Sequence, residues 1–254
     1  MTPPRVRLAV ISALMKRILP AVVVVLALLG VGAYFFLFKE DTKEAASLGD
    51  APLVSTPKTT AGDEASDGSD GAASETTSAD SPDGTWTVIT DPNVFGGYRI
   101  TKTLAGGDTE VTGRTGNVSG SLDIKGDTIS KASFEVDMTT LDSGQAIRDG
   151  RMKTEGFQSN DFPTATLELT SPLTLKAIPA VGTEFTTSTE ADLTLHGVTK
   201  AVTVAISARW NGETLDITAS APVLLADFGI TPPNVPGASV ADNGVLEAQL
   251  ALTR

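Results

Sequence analysis

The amino-acid sequence predicts an all-β domain of about eight or nine antiparallel strands, a sandwich or an up-and-down barrel, set behind one membrane-spanning helix and a disordered linker. Three observations carry this. From Thr85 onward β-branched residues alternate with polar ones in short runs ended by Gly, Asn or Asp, the period-two signature of half-buried strands. Residues 18–38 form a run of 21 residues without a charge. Residues 39–84 are rich in Ala, Ser, Thr, Asp, Glu and Gly and hold almost no large apolar side chain after Val54.

The chain opens with a basic stretch, residues 1–17, that carries Arg5, Arg7, Lys16 and Arg17 and no acid. As a helix, residues 18–38 rise about 31 Å, matching a hydrocarbon core of about 30 Å. Lys39 is followed at once by Glu40 and Asp41, so the charge asymmetry places the amino terminus in the cytoplasm and everything beyond residue 38 outside a single-pass cell membrane anchor. A cleaved signal peptide is the competing reading. Its apolar region runs only about 7–15 residues and ends at small residues, whereas Tyr34, Phe35, Phe36 and Phe38 crowd that place and suit an interfacial aromatic belt.

Residues 39–84 hold three bases and eleven acids. Such a segment buries too little apolar surface to offset its ordering entropy, so a disordered acidic tether is expected. A flexible chain of that length has an r.m.s. span of about 35–40 Å.

The domain, residues 85–254, holds twelve bases and twenty acids within a net charge of −12 for the chain. An acidic exported face argues against a nucleic-acid partner, because binding the phosphate backbone needs a positive patch. With no cysteine there is no disulfide, thiolate nucleophile or lipidated cysteine. The strand candidates are TWTVIT, GYRITKT, NVSGSLDI, KASFEVDM, TATLELT, TEADLTL, AVTVAISARW, TLDITA and VLEAQLAL. Alternation puts Val202, Val204, Ile206, Ala208 and Trp210 on one face of the longest, Leu167 and Leu169 on the inner face of another, and Phe134, Val136 and Met138 on a third. The connections are too short for crossover helices, which favours antiparallel pairing. A closed barrel of eight strands either packs its interior with side chains or holds one small ligand.

One stretch breaks the alternation. From Leu141 to Leu169 the sequence LDSGQAIRDGRMKTEGFQSNDFPTATLEL predicts a turn at Ser143-Gly144 and a short helix bearing Ile147 and Met152, before Phe157, Phe162 and Pro163 lead back into a strand. Its S-G-x-x-x-R-D-x-x-Met helix and F-x-x-x-x-Phe-Pro tail resemble the central signature of the YceI-like family. LTLHGVTKAVTV (193–204), DFGI (227–230) and the later VADNGVLEAQL resemble further blocks of that family, and the opening GTWTVITDPNVFGGYRI resembles its first strand less specifically. The resemblance covers nearly all of residues 84–254. It implies an extended antiparallel, lipocalin-like β-barrel that binds amphiphiles with long isoprenoid tails, such as polyprenyl carriers or isoprenoid quinones. Gly150-Arg151-Met152 departs from the His-Leu that relatives often carry there.

Chemistry has little to stand on. The only histidine, His196, precedes Gly197 in an expected tight turn, where backbone geometry and a polar contact explain it better than acid–base catalysis. No spacing of ligands implies a metal or another cofactor. Arg148-Asp149 has two readings: a guanidinium gripping a head group at the cavity mouth, or a charged pair fixing the insert to the barrel rim, which is the favoured one. Asp227 reads as a turn-setting residue, and the sequon at Asn117-Val118-Ser119 is too short a pattern to weigh. An apolar tunnel is expected from Phe134, Met138, Ile147, Met152, Phe157, Phe162, Leu167, Leu169, Leu193, Leu195, Val204 and Phe228, with Arg148 as the head-group candidate. The expected function is therefore a non-catalytic, membrane-tethered binding protein for isoprenoid lipid. The alternative is an adhesion or assembly module with a packed core and an unknown protein partner, which an internal cavity would disfavour.

Overall fold

The computed structural model describes residues 42–49, 52–54, 81–104, 107–232 and 237–254. The spanning helix expected at residues 18–38 lies outside them. Among the described residues no helix is long and apolar enough to cross a membrane.

The strands are β1 (Gly84–Val88), β2 (Phe95–Leu104), β3 (Gly107–Thr115), β4 (Val118–Lys125), β5 (Thr128–Asp137), β6 (Thr164–Leu169), β7 (Leu173–Thr174), β8 (Glu184–Leu195), β9 (Val198–Trp210), β10 (Thr214–Leu224) and β11 (Ala238–Thr253), with one helix α1 (Ala146–Thr154) between β5 and β6. All strand pairs are antiparallel. The order β1-β4-β5-β6-β8-β9-β10-β11 returns to β1 through Thr87 opposite Thr253 and Val88 opposite Leu252. Eight strands thus close a barrel, and closure leaves the ring without an edge. β3 pairs with β2, and β2 pairs with β11 from Ala238 to Gln249. The bulge between Val240 and Gly244 bends that strand, as an inserted residue does.

Alternation explains which side faces in. Along β9, Val204, Ala208 and Trp210 are buried while Thr203 and Ala205 are exposed. Two apolar clusters divide the interior. Trp86, Trp210, Leu215, Leu250 and Leu252 belong to one, and Tyr98, Met138, Leu141, Phe157, Leu195 and Phe228 to the other. Trp86 is fully buried beside the closure and its indole N–H donates to the Pro82 carbonyl at 2.7 Å. Trp is retained in a core only where that donor finds a partner.

The sequence reading misses β3. Within GDTEVTGRT only Val111 is a large apolar residue, so the run carries no alternation, and it is pairing with β2 that makes it a strand. The linker reading also needs correction: residues 42–49 and 52–54 lie against the outside of the barrel, where Leu48 is only 4% exposed. Main-chain groups held by long-range side chains leave no trace in local composition, which is why a polar, small-residue segment reads as disordered.

Gly120 sits in β4 at φ +141°, and a β-carbon there would overlap the Ser133 carbonyl and the Phe134 backbone. Gly120→Ala is expected to lower stability by about 2–3 kcal/mol in urea unfolding. Gly150, inside α1 with open space around it, should behave oppositely, Gly150→Ala raising stability by about 0.5–1 kcal/mol.

Candidate functional site: an apolar cavity with one closed end

A cavity of about 200 Å³ occupies the barrel, against the roughly 10–15 Å³ that one water molecule needs. Its lining residues on β8 run from Phe185 to Leu195, about 34 Å along the strand at about 3.4 Å per residue. At a strand tilt of about 40° that is roughly 25 Å along the barrel axis, room for several five-carbon units end to end. The walls are mainly aliphatic and aromatic, with Thr166, Thr187, Thr189 and Ser220 among them. Among the described lining residues Glu247 alone is charged, and its carboxylate is taken by Arg114, whose Nε and Nη2 donate to Oε1 at 2.9 and 2.7 Å. Nothing in the wall matches a polar head group, so the cavity suits a tail.

The two ends differ. At one, the β4–β5 and β9–β10 hairpins frame residues 175–183, and the cavity reaches the surface there: Ile178 lines it yet is 46% exposed. Leu173, Leu175 and Pro179 line the same rim. At the other end Met138 and Leu141 form the floor. Behind them Phe157 packs edge-on against Tyr98, with ring centroids 5.1 Å apart.

His196 fastens the closed end. Its Nδ1 lies 3.0 Å from the Phe228 carbonyl; a carbonyl only accepts, so Nδ1 carries the proton. Nε2 lies 3.0 Å from Gln158 Oε1. The imidazole also rests on Phe162, with centroids 4.4 Å apart. Residue 197 must be glycine, because it has φ +73° and a β-carbon would stand 2.7 Å from Phe162 Cε1. One histidine therefore ties the β8–β9 turn, the segment after α1, and the turn at Leu225–Phe228. Both ring nitrogens are engaged in these contacts.

Arg148 and Asp149 act nearby. Arg148 donates from Nε to Ser143 Oγ at 2.8 Å and from Nη2 to the Ser143 carbonyl at 2.7 Å. Asp149 Oδ1 accepts from the Ser143 amide at 3.1 Å and from its hydroxyl. Ser143 is 2% exposed. The two charged residues grip the turn before α1, and Arg148 does not line the cavity, so it is placed as a fixing residue and not as a head-group ligand.

Of the twelve apolar residues expected in the tunnel, Phe134, Met138, Leu167, Leu169, Leu193, Leu195 and Val204 line the cavity. The other five do not. Ile147 is 66% exposed on the outer side of α1. Met152 and Phe157 pack against Tyr98, Met138 and Leu141 with no space for water between them. Phe162 stacks on His196, and Phe228 is buried in the closed-end core. The insert is a floor and not a lid over the mouth. Its residues share the apolar character of a ligand contact because a plug faces the same core. The real rim was missed, although SPLTLKAIPAVG carries a signal: apolar residues without alternation in an otherwise polar connection.

A closed antiparallel barrel with one open end and apolar walls is the architecture of a small lipophile-binding protein. The chain belongs to the YceI-like family, whose domain matches residues 91–252. It is 33% identical over 129 residues to a UPF0312 protein of Vibrio parahaemolyticus, an alignment covering 47% of this chain and 65% of that protein, so it spans just under two thirds of this relative. Its fold is similar to that of a polyisoprenoid binding domain from Saccharophagus degradans implicated in plant cell wall breakdown, with TM-score 0.54, 18% identity, and 66% of this chain and 97% of that one covered. BcnA of Burkholderia cenocepacia aligns with TM-score 0.47 at 17% identity over 61% of this chain and 95% of its own.

Removing the fastening should be costly. His196→Ala is expected to lower stability by about 2–3 kcal/mol in urea unfolding, and a double-mutant cycle with Phe162→Ala should show coupling above about 0.5 kcal/mol. Ile147→Ser should change stability by no more than about 0.5 kcal/mol.

Proposed function

We propose that this protein is a non-catalytic binding protein for an amphiphile with a long isoprenoid tail, a polyprenyl carrier or an isoprenoid quinone, held outside the cell by the apolar segment at residues 18–38. The observation that carries the reading is the continuous apolar cavity open at one end. A tail enters at the rim of Leu173, Leu175 and Ile178 and runs toward Met138 and Leu141, and its head group stays at the mouth. Membership of the YceI-like family and the fold shared with a polyisoprenoid binding domain support the same ligand class. The commitment of both His196 nitrogens supports a role without turnover. A packed-core adhesion module has no use for such a cavity.

The energetics favour shielding over capture. Burying one five-carbon unit gains about 3 kcal/mol against water, at about 0.8 kcal/mol per methylene-sized group. Against a bilayer it gains close to nothing, because the tail leaves one apolar medium for another. Selectivity then rests on tunnel length and shape.

Native mass spectrometry of gently purified protein should show a bound lipid mass. Ala219 lines the cavity with part of its surface still accessible, so Ala219→Phe should fill the tunnel and reduce retained lipid by a factor on the order of 100 while the thermal transition survives, the loss expected when one five-carbon unit is displaced into water. Protein that is empty in every preparation and takes up no polyprenol or quinone from vesicles overturns the reading.

A further inference from the structure

A stretch of the chain is held on the outer wall of the barrel. Residues 42–49 and 52–54 lie on it, from β3 toward β9 and β10, held by a set of hydrogen bonds that mostly address their main chain. Arg99 Nη2 donates to the Lys43 carbonyl at 2.8 Å and Arg114 Nη2 to the Glu44 carbonyl. Arg209 donates to the carbonyls of Leu48 and Gly49 at 3.2 and 2.9 Å. In the opposite sense, the amides of Lys43, Ala46, Ser47 and Leu53 donate to Thr112, Glu247, Gln249 and Asp216 at 3.3, 3.4, 3.1 and 3.0 Å. Asn93 Nδ2 adds a bond to the Leu53 carbonyl at 2.9 Å. Side-chain identity matters at Leu48, which is 4% exposed, and at Leu53 and Val54, which pack against the cluster of Trp86 and Trp210.

We infer that this wall is a recognition site for an extended peptide, filled here by the chain's own residues 42–49 and 52–54 and open to exchange. Recognition through carbonyls and amides is nearly independent of sequence, as in other modes that read the main chain and take specificity from a single pocket. The arginines suit the task because each guanidinium has five donors: Arg114 holds Glu247 Oε1 at 2.7 Å and Arg99 lies 3.5 Å from Oε2 while both also reach a carbonyl. The segment is not an ideal match for its site. Asp216 is fully buried beneath it, and its Oδ1 has no hydrogen-bond partner. A buried carboxylate oxygen left without a donor is costly. The preferred occupant therefore has an apolar side chain at the Leu48 position and a donor side chain, Ser or Asn, where the segment passes Asp216. A peptide of that kind displaces the chain's own segment without altering the barrel interior.

The test uses the full chain with a specific protease site introduced between residues 59 and 78. After cleavage the two pieces should comigrate, and an excess of synthetic peptide of residues 42–54 should separate them. The same peptide with Leu48→Asp is expected to leave them together at more than about tenfold higher concentration, because the side chain at that position is buried. In the uncleaved chain Leu48→Asp, which changes no residue of the barrel itself, should raise hydrogen exchange at Lys43, Ala46, Ser47 and Leu53 to the rates of an unstructured peptide while exchange along β10 stays slow. Pieces that part at once from a folded barrel overturn the site, and so do pieces that no excess of peptide separates. Lipid retention is a separate readout, so an empty cavity leaves this result interpretable.

Discussion

The imidazole of His196 joins its own turn between β8 and β9 to two segments distant in the chain, bonded to one at Phe228 and to the other at Gln158, where it also stacks on Phe162. A barrel of eight strands with two open ends is a pipe. Closing one end turns it into a pocket with a bottom, and here the closure is a packed plug of Met138, Leu141, Phe157 and Phe228 whose loops would otherwise drift apart. The hydrogen bonds run to groups that must leave water when the plug packs, so each is expensive to leave unmade. The depth of the cavity and the separation of floor from rim both depend on that junction.

The outside of the barrel obeys a different physics. Arg99, Arg114 and Glu247 pack together on the β2, β3 and β11 wall, with Glu247 4% exposed at the side chain. Arg209 and Asp216 repeat the arrangement on β9 and β10, 3.5 Å apart. Buried ion pairs add little net stability by themselves, since desolvation consumes much of the attraction. They become useful when their remaining donors and acceptors are spent on something else, and here that something is a strip of main chain. The apolar interior and the charged exterior are thus two sites on one wall, separated by the thickness of a sheet and kept apart by the alternation of side chains.

Charge also explains why Arg148 and Asp149 are not part of the ligand site. Both lie in the first turn of α1, and a helix that stands outside the ring must have that turn fixed to something. Ser143 provides the anchor, with its hydroxyl, amide and carbonyl all engaged. The fixing role was legible from an Arg-Asp pair beside a Ser-Gly turn. Its geometry, two residues closing on a third, was not, because adjacent residues on a helix point apart and only the fold shows what lies between them.

The sequence alone determined most of the strands, their inner faces and the presence of a structured interruption between β5 and β6. These are local properties: side chains alternate with a period of two whatever the strand pairs with, so Phe134, Leu167, Leu169 and Val204 could be assigned to the interior before any pairing was known. The histidine turn was legible for the same reason. Tertiary structure decided which end is open, that the insert is a floor, that GDTEVTGRT is a strand, and that residues 42–49 lie on the barrel. Each of those rests on contacts between distant segments. A Phe against a ligand and a Phe in a plug look alike in sequence, since both are apolar residues facing the same core. Only closure of the ring, with β1 returning to β11, sets where that core ends and the cavity begins.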